Sequence, residues 1–79
     1  MRACSPKSSL VERITFDEAS GELTIAFSRR RIYAYAAVPL ALFRELCRAA
    51  SPGRFYNERI KGRFACREVS PRRRYLPVE

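Results

Sequence analysis

Glu22-Leu23-Thr24-Ile25-Ala26-Phe27-Ser28-Arg29-Arg30-Arg31-Ile32-Tyr33-Ala34-Tyr35-Ala36 decides the fold. Leu23, Ile25 and Phe27 recur every second residue, with Thr24, Ala26 and Ser28 between them. That is the period of a strand with one buried face. Ile32 to Ala36 repeats the pattern with β-branched, aromatic and small residues. A link this short joins antiparallel neighbours. Its length sets the faces. Two or four linking residues place Tyr33 and Tyr35 beside Thr24 and Ala26. Three place them with Leu23, Ile25 and Phe27 in the core. The arginine-rich link has no glycine to mark its turn type, and both arrangements remain open.

Upstream, Val11-Glu12-Arg13-Ile14-Thr15-Phe16 has an approximate two-residue period and reads as a strand. Asp17-Glu18-Ala19-Ser20-Gly21 has turn chemistry, with Gly21 free to take positive φ. Residues 1–8 are mostly polar and are expected to be a flexible arm. Met1 to Leu10 hold no apolar run, so no signal peptide is expected. Downstream, Val38-Pro39 ends the last strand and opens a helix. Leu40, Phe43, Leu46, Cys47 and Ala50 form its apolar stripe. Ser51-Pro52-Gly53 stops it and starts a second helix, in which Tyr56 and Ile60 are i, i+4 neighbours and Gly62 marks the end. The expected fold is α+β: a three-stranded antiparallel β-meander packed against one or two C-terminal helices. Its boundaries are residues 9–66, followed by a basic, flexible tail over 67–79.

The chain has 79 residues, enough for one domain with a small core. It is 47% hydrophobic, too apolar to be wholly disordered. Without histidine, the triads, Cys–His dyads and histidine metal sites are excluded. Cys4, Cys47 and Cys66 contain no CxxC pair and make a poor zinc site. They are expected as reduced, buried thiols of a cytoplasmic protein, with a Cys4–Cys66 or intermolecular bridge as the alternative. The most apolar run, Ile32 to Phe43, is too short to span a membrane. No enzyme activity, cofactor or metal is expected.

Sixteen basic residues face eight acidic ones, a net charge of +8. Residues 1–28 carry a net −1 and residues 29–79 a net +9. Such asymmetry points to a polyanionic partner. Arg29, Arg30 and Arg31 sit at the hairpin tip, where they would grip phosphates. Tyr33 and Tyr35 share a strand face. Exposed, they would stack on unpaired bases; packed, they would fill the core. Arg54, Arg59, Lys61, Arg63 and Arg67 surround the second helix, with Arg59 and Arg63 on one face by their i, i+4 spacing. Arg72, Arg73 and Arg74 add nonspecific attraction from the tail.

The ordered set Ser8-Ser9-Leu10, Ile14-x-Phe16-Asp17, Leu23-x-Ile25-x-Phe27, Tyr33-x-Tyr35, Val38-Pro39, Ala49-x-Ser51-x-Gly53, Phe55-x-Asn57 and Ile60-Lys61 resembles the KTSC domain. The resemblance covers about Ser8 to Phe64. The family takes its name from a segment at the C-terminus of some lysyl-tRNA synthetases and also occurs as stand-alone bacterial and phage proteins. The resemblance implies a small domain for which RNA binding has been suggested, with tRNA or rRNA as candidate species. Two features depart from the family: Arg29-Arg30-Arg31 replaces a glycine-containing turn, and Phe16 stands where tyrosine is frequent. The expectation is a basic RNA-binding module, monomeric or weakly dimeric, with no membrane contact. The alternative is an adaptor that docks an acidic protein surface or self-associates.

Overall fold

In the computed structural model, residues 1–6, 8–28 and 30–69 are described. Five strands and two helices follow in chain order: β1 (Arg2–Cys4), β2 (Val11–Asp17), β3 (Glu22–Phe27), β4 (Ile32–Tyr35), α1 (Leu40–Arg48), α2 (Pro52–Arg59) and β5 (Cys66–Val69). The strands form one antiparallel sheet in the order β1-β2-β3-β4-β5. The α+β class and the central meander are as expected. The sheet, however, has five strands rather than three. The helices lie between β4 and β5, not at the C-terminal end. The arm expected over residues 1–8 contains β1, and the tail expected from residue 67 begins inside β5. Both additional strands lie at sheet edges and carry mainly exposed residues. They therefore lack the apolar alternation that reveals β2 and β3.

The three inner strands hold one face of the sheet against the helices. Val11, Ile14, Phe16, Leu23, Ile25 and Tyr35 are buried there, with Val38, Leu42, Phe43, Leu46 and Ile60 packed over them. Val11 and Ile14 break the two-residue period but both point inward. A bulge explains this: Val11 pairs with Phe27 and Arg13 with Ala26, which leaves Glu12 without a partner in the ladder. The helix α1 buries Leu42, Phe43 and Leu46. The expected stripe ran through Leu40, Phe43, Leu46, Cys47 and Ala50. Leu40 and Cys47 are only partly covered, and Ala50 is exposed. Phe16 and Phe43 stack across the sheet–helix boundary with centroids 5.3 Å apart.

Cys4 pairs with Ile14 in the β1–β2 ladder, so it faces the helices. There it meets Cys47 of α1, and the two form a disulfide with a Cα–Cα distance of 6.2 Å. This corrects the expected reduced thiols and the Cys4–Cys66 alternative. The partners are 43 residues apart in sequence, and only the tertiary packing of α1 over β1 brings them together. Cys66 is free and exposed on β5. Among the described residues, no helix is long and apolar enough to cross a membrane.

Candidate nucleic-acid interface

The β3–β4 hairpin settles the position of the tyrosines. Phe27 N donates to Arg31 O at 2.7 Å, and Arg30 N donates to Phe27 O at 3.1 Å. The loop is therefore three residues long, 28–30. Arg30 takes the left-handed conformation, φ 63°, at the position where glycine commonly relieves such a turn. An odd loop places Tyr33 opposite Ile25 and Tyr35 opposite Leu23. Both rings therefore lie on the helix-facing side of the sheet.

Their roles then divide. Tyr35 is 2% exposed and offers no ring face to a ligand, so it cannot be one half of an exposed stacking pair. Its hydroxyl is hydrogen-bonded to that of Tyr56 at 2.5 Å. Burial, reinforced by this bond and by the Cys66 thiol, pushes its phenol pKa well above the usual tyrosine value. Tyr33 is two residues nearer the hairpin tip, roughly 7 Å along the strand, and is only half-buried. Its ring meets Phe27 edge-on at 5.9 Å. Arg31 Nη1 donates to the Tyr33 hydroxyl at 3.3 Å, and this bond raises the Arg31 pKa above its already high value.

Tyr33 opens onto a cleft of about 680 Å³ between the hairpin and the C-terminal part of α2. Phe27, Tyr33 and Tyr56 supply its aromatic surface, with Leu10 and Ser28 beside them. Arg31, Asn57, Lys61 and Cys66 complete the lining and are all exposed. Leu10 is held above α2 because Gly53 leaves room for it: a Cβ on Gly53 would lie 2.9 Å from Leu10 Cδ2. Its carbonyl accepts from Ser28 N at 2.9 Å, which ties the start of β2 to the hairpin. A smaller depression of about 370 Å³ lies on the opposite sheet face, over Thr24, Ala26 and Ala34. Two cations line it, Arg13 and Arg67, of which Arg67 is bound to Glu22 at 2.9 Å, and it has no aromatic lining.

Arg31, Tyr33 and Lys61 are thus brought together. Arg30 is exposed at the hairpin tip. The other cations expected at the site, where described, are placed differently. Arg54 pairs with Glu58 at 3.0 Å, and Arg59 with Glu45 at 3.6 Å. The Arg59 guanidinium also lies 5.3 Å from the Phe55 ring centroid. Arg63 does not share a helix face with Arg59, because α2 ends at Arg59. Its Nε instead donates to the Glu58 carbonyl at 3.1 Å. Arg67 sits on the far face of the sheet. These surface pairs are individually weak, but each carboxylate cancels local positive potential. Arg29, Arg72, Arg73 and Arg74 lie outside the described residues.

Leu10, Phe27, Tyr56, Asn57 and Cys66 carry no binding signal in the sequence. Phe27 carried a core signal and Tyr56 a helix-packing signal. Nothing local states that α2 passes beside the hairpin tip.

This layout defines a small α+β domain whose sheet is helix-covered on one face and whose aromatic cleft adjoins exposed cations. The chain belongs to the KTSC domain family, whose model matches residues 7–64. It superimposes on the crystal structure of a KTSC domain protein from Yersinia pestis with a TM-score of 0.82 and 32% identity, covering 87% of this chain and 97% of that one. It is 31% identical over 65 residues to the lysine–tRNA ligase of Nostoc punctiforme, a match that spans 82% of this chain but 12% of the ligase. A protein of Tsukamurella paurometabola is 38% identical over 58 residues, which is 73% of this chain and 87% of that protein.

Proposed function

We propose that this protein is a small non-enzymatic RNA-binding module. The observation that carries this reading is the meeting of Arg31 and Lys61 around the half-buried Tyr33 in one cleft. Cations beside an aromatic face suit a ligand that is both anionic and planar. The net charge of +8 supports attraction to a polyanion at longer range. The similarity to a segment of lysine–tRNA ligases supports RNA over DNA, since those enzymes act, by name, on tRNA.

Electrostatic binding of this kind weakens with salt. Arg30, Arg31 and Lys61 neutralising three phosphates of a single strand would give a log–log slope of about −2. Participation of Arg54, Arg59, Arg63 and Arg67 would steepen it. Fluorescence anisotropy with labelled RNA at stepped salt concentrations measures the slope. No binding at low salt, or binding indifferent to salt, rejects the proposal. A salt-independent, stoichiometric protein complex would instead support the adaptor reading.

A further inference from the structure

Three rings decide what the cleft can hold. Phe27 lies edge-to-face with Tyr33 at 5.9 Å and with Tyr56 at 5.2 Å. None of the three is fully covered, so aromatic surface remains available at the opening. Tyr56 is further fixed by its hydroxyl bond to the buried Tyr35, which makes it a rigid part of the wall. The exposed Asn57 amide carries both a donor and an acceptor, the combination that reads a nucleobase edge. Arg31 and Lys61 provide positive charge for a phosphate. The cleft volume, about 680 Å³, falls within the range of small-ligand sites. A base inside a duplex is stacked on its neighbours and has no free face to offer these rings.

We infer that the cleft seats a single unpaired nucleotide. Its base would rest against Phe27, Tyr33 and Tyr56, with the Asn57 amide at the base edge and the phosphate near Arg31 and Lys61. This rests on the RNA reading and narrows it to single-stranded or extruded nucleotides. Recognition comes from ring contact, which every base can make, so sequence preference is modest and resides in Asn57.

The test uses the full chain and three labelled twelve-nucleotide probes at one salt concentration: a single-stranded RNA, the same strand annealed to its complement, and an abasic oligomer with the same backbone. The single strand should bind at least tenfold tighter than the other two. Tyr33→Leu should weaken single-strand binding by about five- to 150-fold, the loss of one stacked base, and leave abasic binding unchanged. Asn57→Ala, at an exposed position that does not support the core, should reduce single-strand binding a few-fold. Equal affinity for all three probes overturns the nucleotide site while leaving electrostatic RNA binding in place. A single-strand preference that neither substitution alters also overturns it. Failure of every probe to bind removes both readings.

Discussion

Reducing the Cys4–Cys47 bridge should destabilise the fold by about 4 kcal/mol. The bridge joins residues 43 apart in sequence, and cross-linking a loop of that length removes about 13 cal/mol/K of unfolded-chain entropy. For a domain of 79 residues the total stability is about 4–12 kcal/mol, so the reduced form approaches marginality. With a guanidinium m-value of about 2 kcal/mol/M, the unfolding midpoint should fall by about 2 M. Circular dichroism during denaturant titration, with and without reductant, measures this in a Cys66→Ser background that prevents thiol exchange. Local exchange should change as well. The strand β1 pairs through only Arg2, Ala3 and Cys4, so its amides should lose hydrogen-exchange protection before those of β3. Midpoints that agree within about 0.3 M, with Cys4 and Cys47 shown by peptide mapping to be bridged, would mean that the bridge does not stabilise the fold. A reducing cytoplasm opposes such a bridge. The redox state isolated from cells therefore bears directly on where the protein works.

Arg30→Gly should stabilise the protein by about 1 kcal/mol, because a non-glycine residue at φ 63° carries a left-handed penalty that exceeds glycine's extra unfolded entropy; an unchanged or lower melting temperature would count against it. The folded state holds the Tyr35 proton more tightly than the unfolded chain does. This contribution is fully present below about pH 10 and is lost above it, by up to about 1.4 kcal/mol per pH unit. Tyr35→Phe should remove that slope at a cost of about 1 kcal/mol for the lost hydroxyl bond. Equal alkaline slopes in the variant and the parent would show that Tyr35 is not the group responsible.

The legible parts of the fold are those in which burial imposes a period. Leu23, Ile25 and Phe27 reveal β3, and Phe43 with Leu46 reveals the buried side of α1. The strands β1 and β5 escape detection because short edge strands need little apolar surface. The candidate site was only partly legible for a different reason. Whether Tyr33 and Tyr35 face solvent or the core depends on the parity of the hairpin loop. Three arginines, lacking the usual glycine, conceal that Arg30, the last residue of the loop, is left-handed. Charge and spacing point to Arg31, Tyr33 and Lys61 individually. Their meeting with Phe27, Tyr56 and Asn57 depends on where α2 crosses the sheet, and no residue pattern encodes that distance.

If the cations and rings at this cleft act together on RNA, removing one cation must weaken the salt-sensitive part of binding. The decisive measurement titrates labelled single-stranded RNA against the parent protein and a Lys61→Ala variant across a salt series. Lys61 is exposed, so its removal leaves the fold intact. Binding should weaken with salt, with a log–log slope shallower by about 0.7 in the variant, one phosphate contact fewer. An unchanged slope and affinity in Lys61→Ala would contradict it.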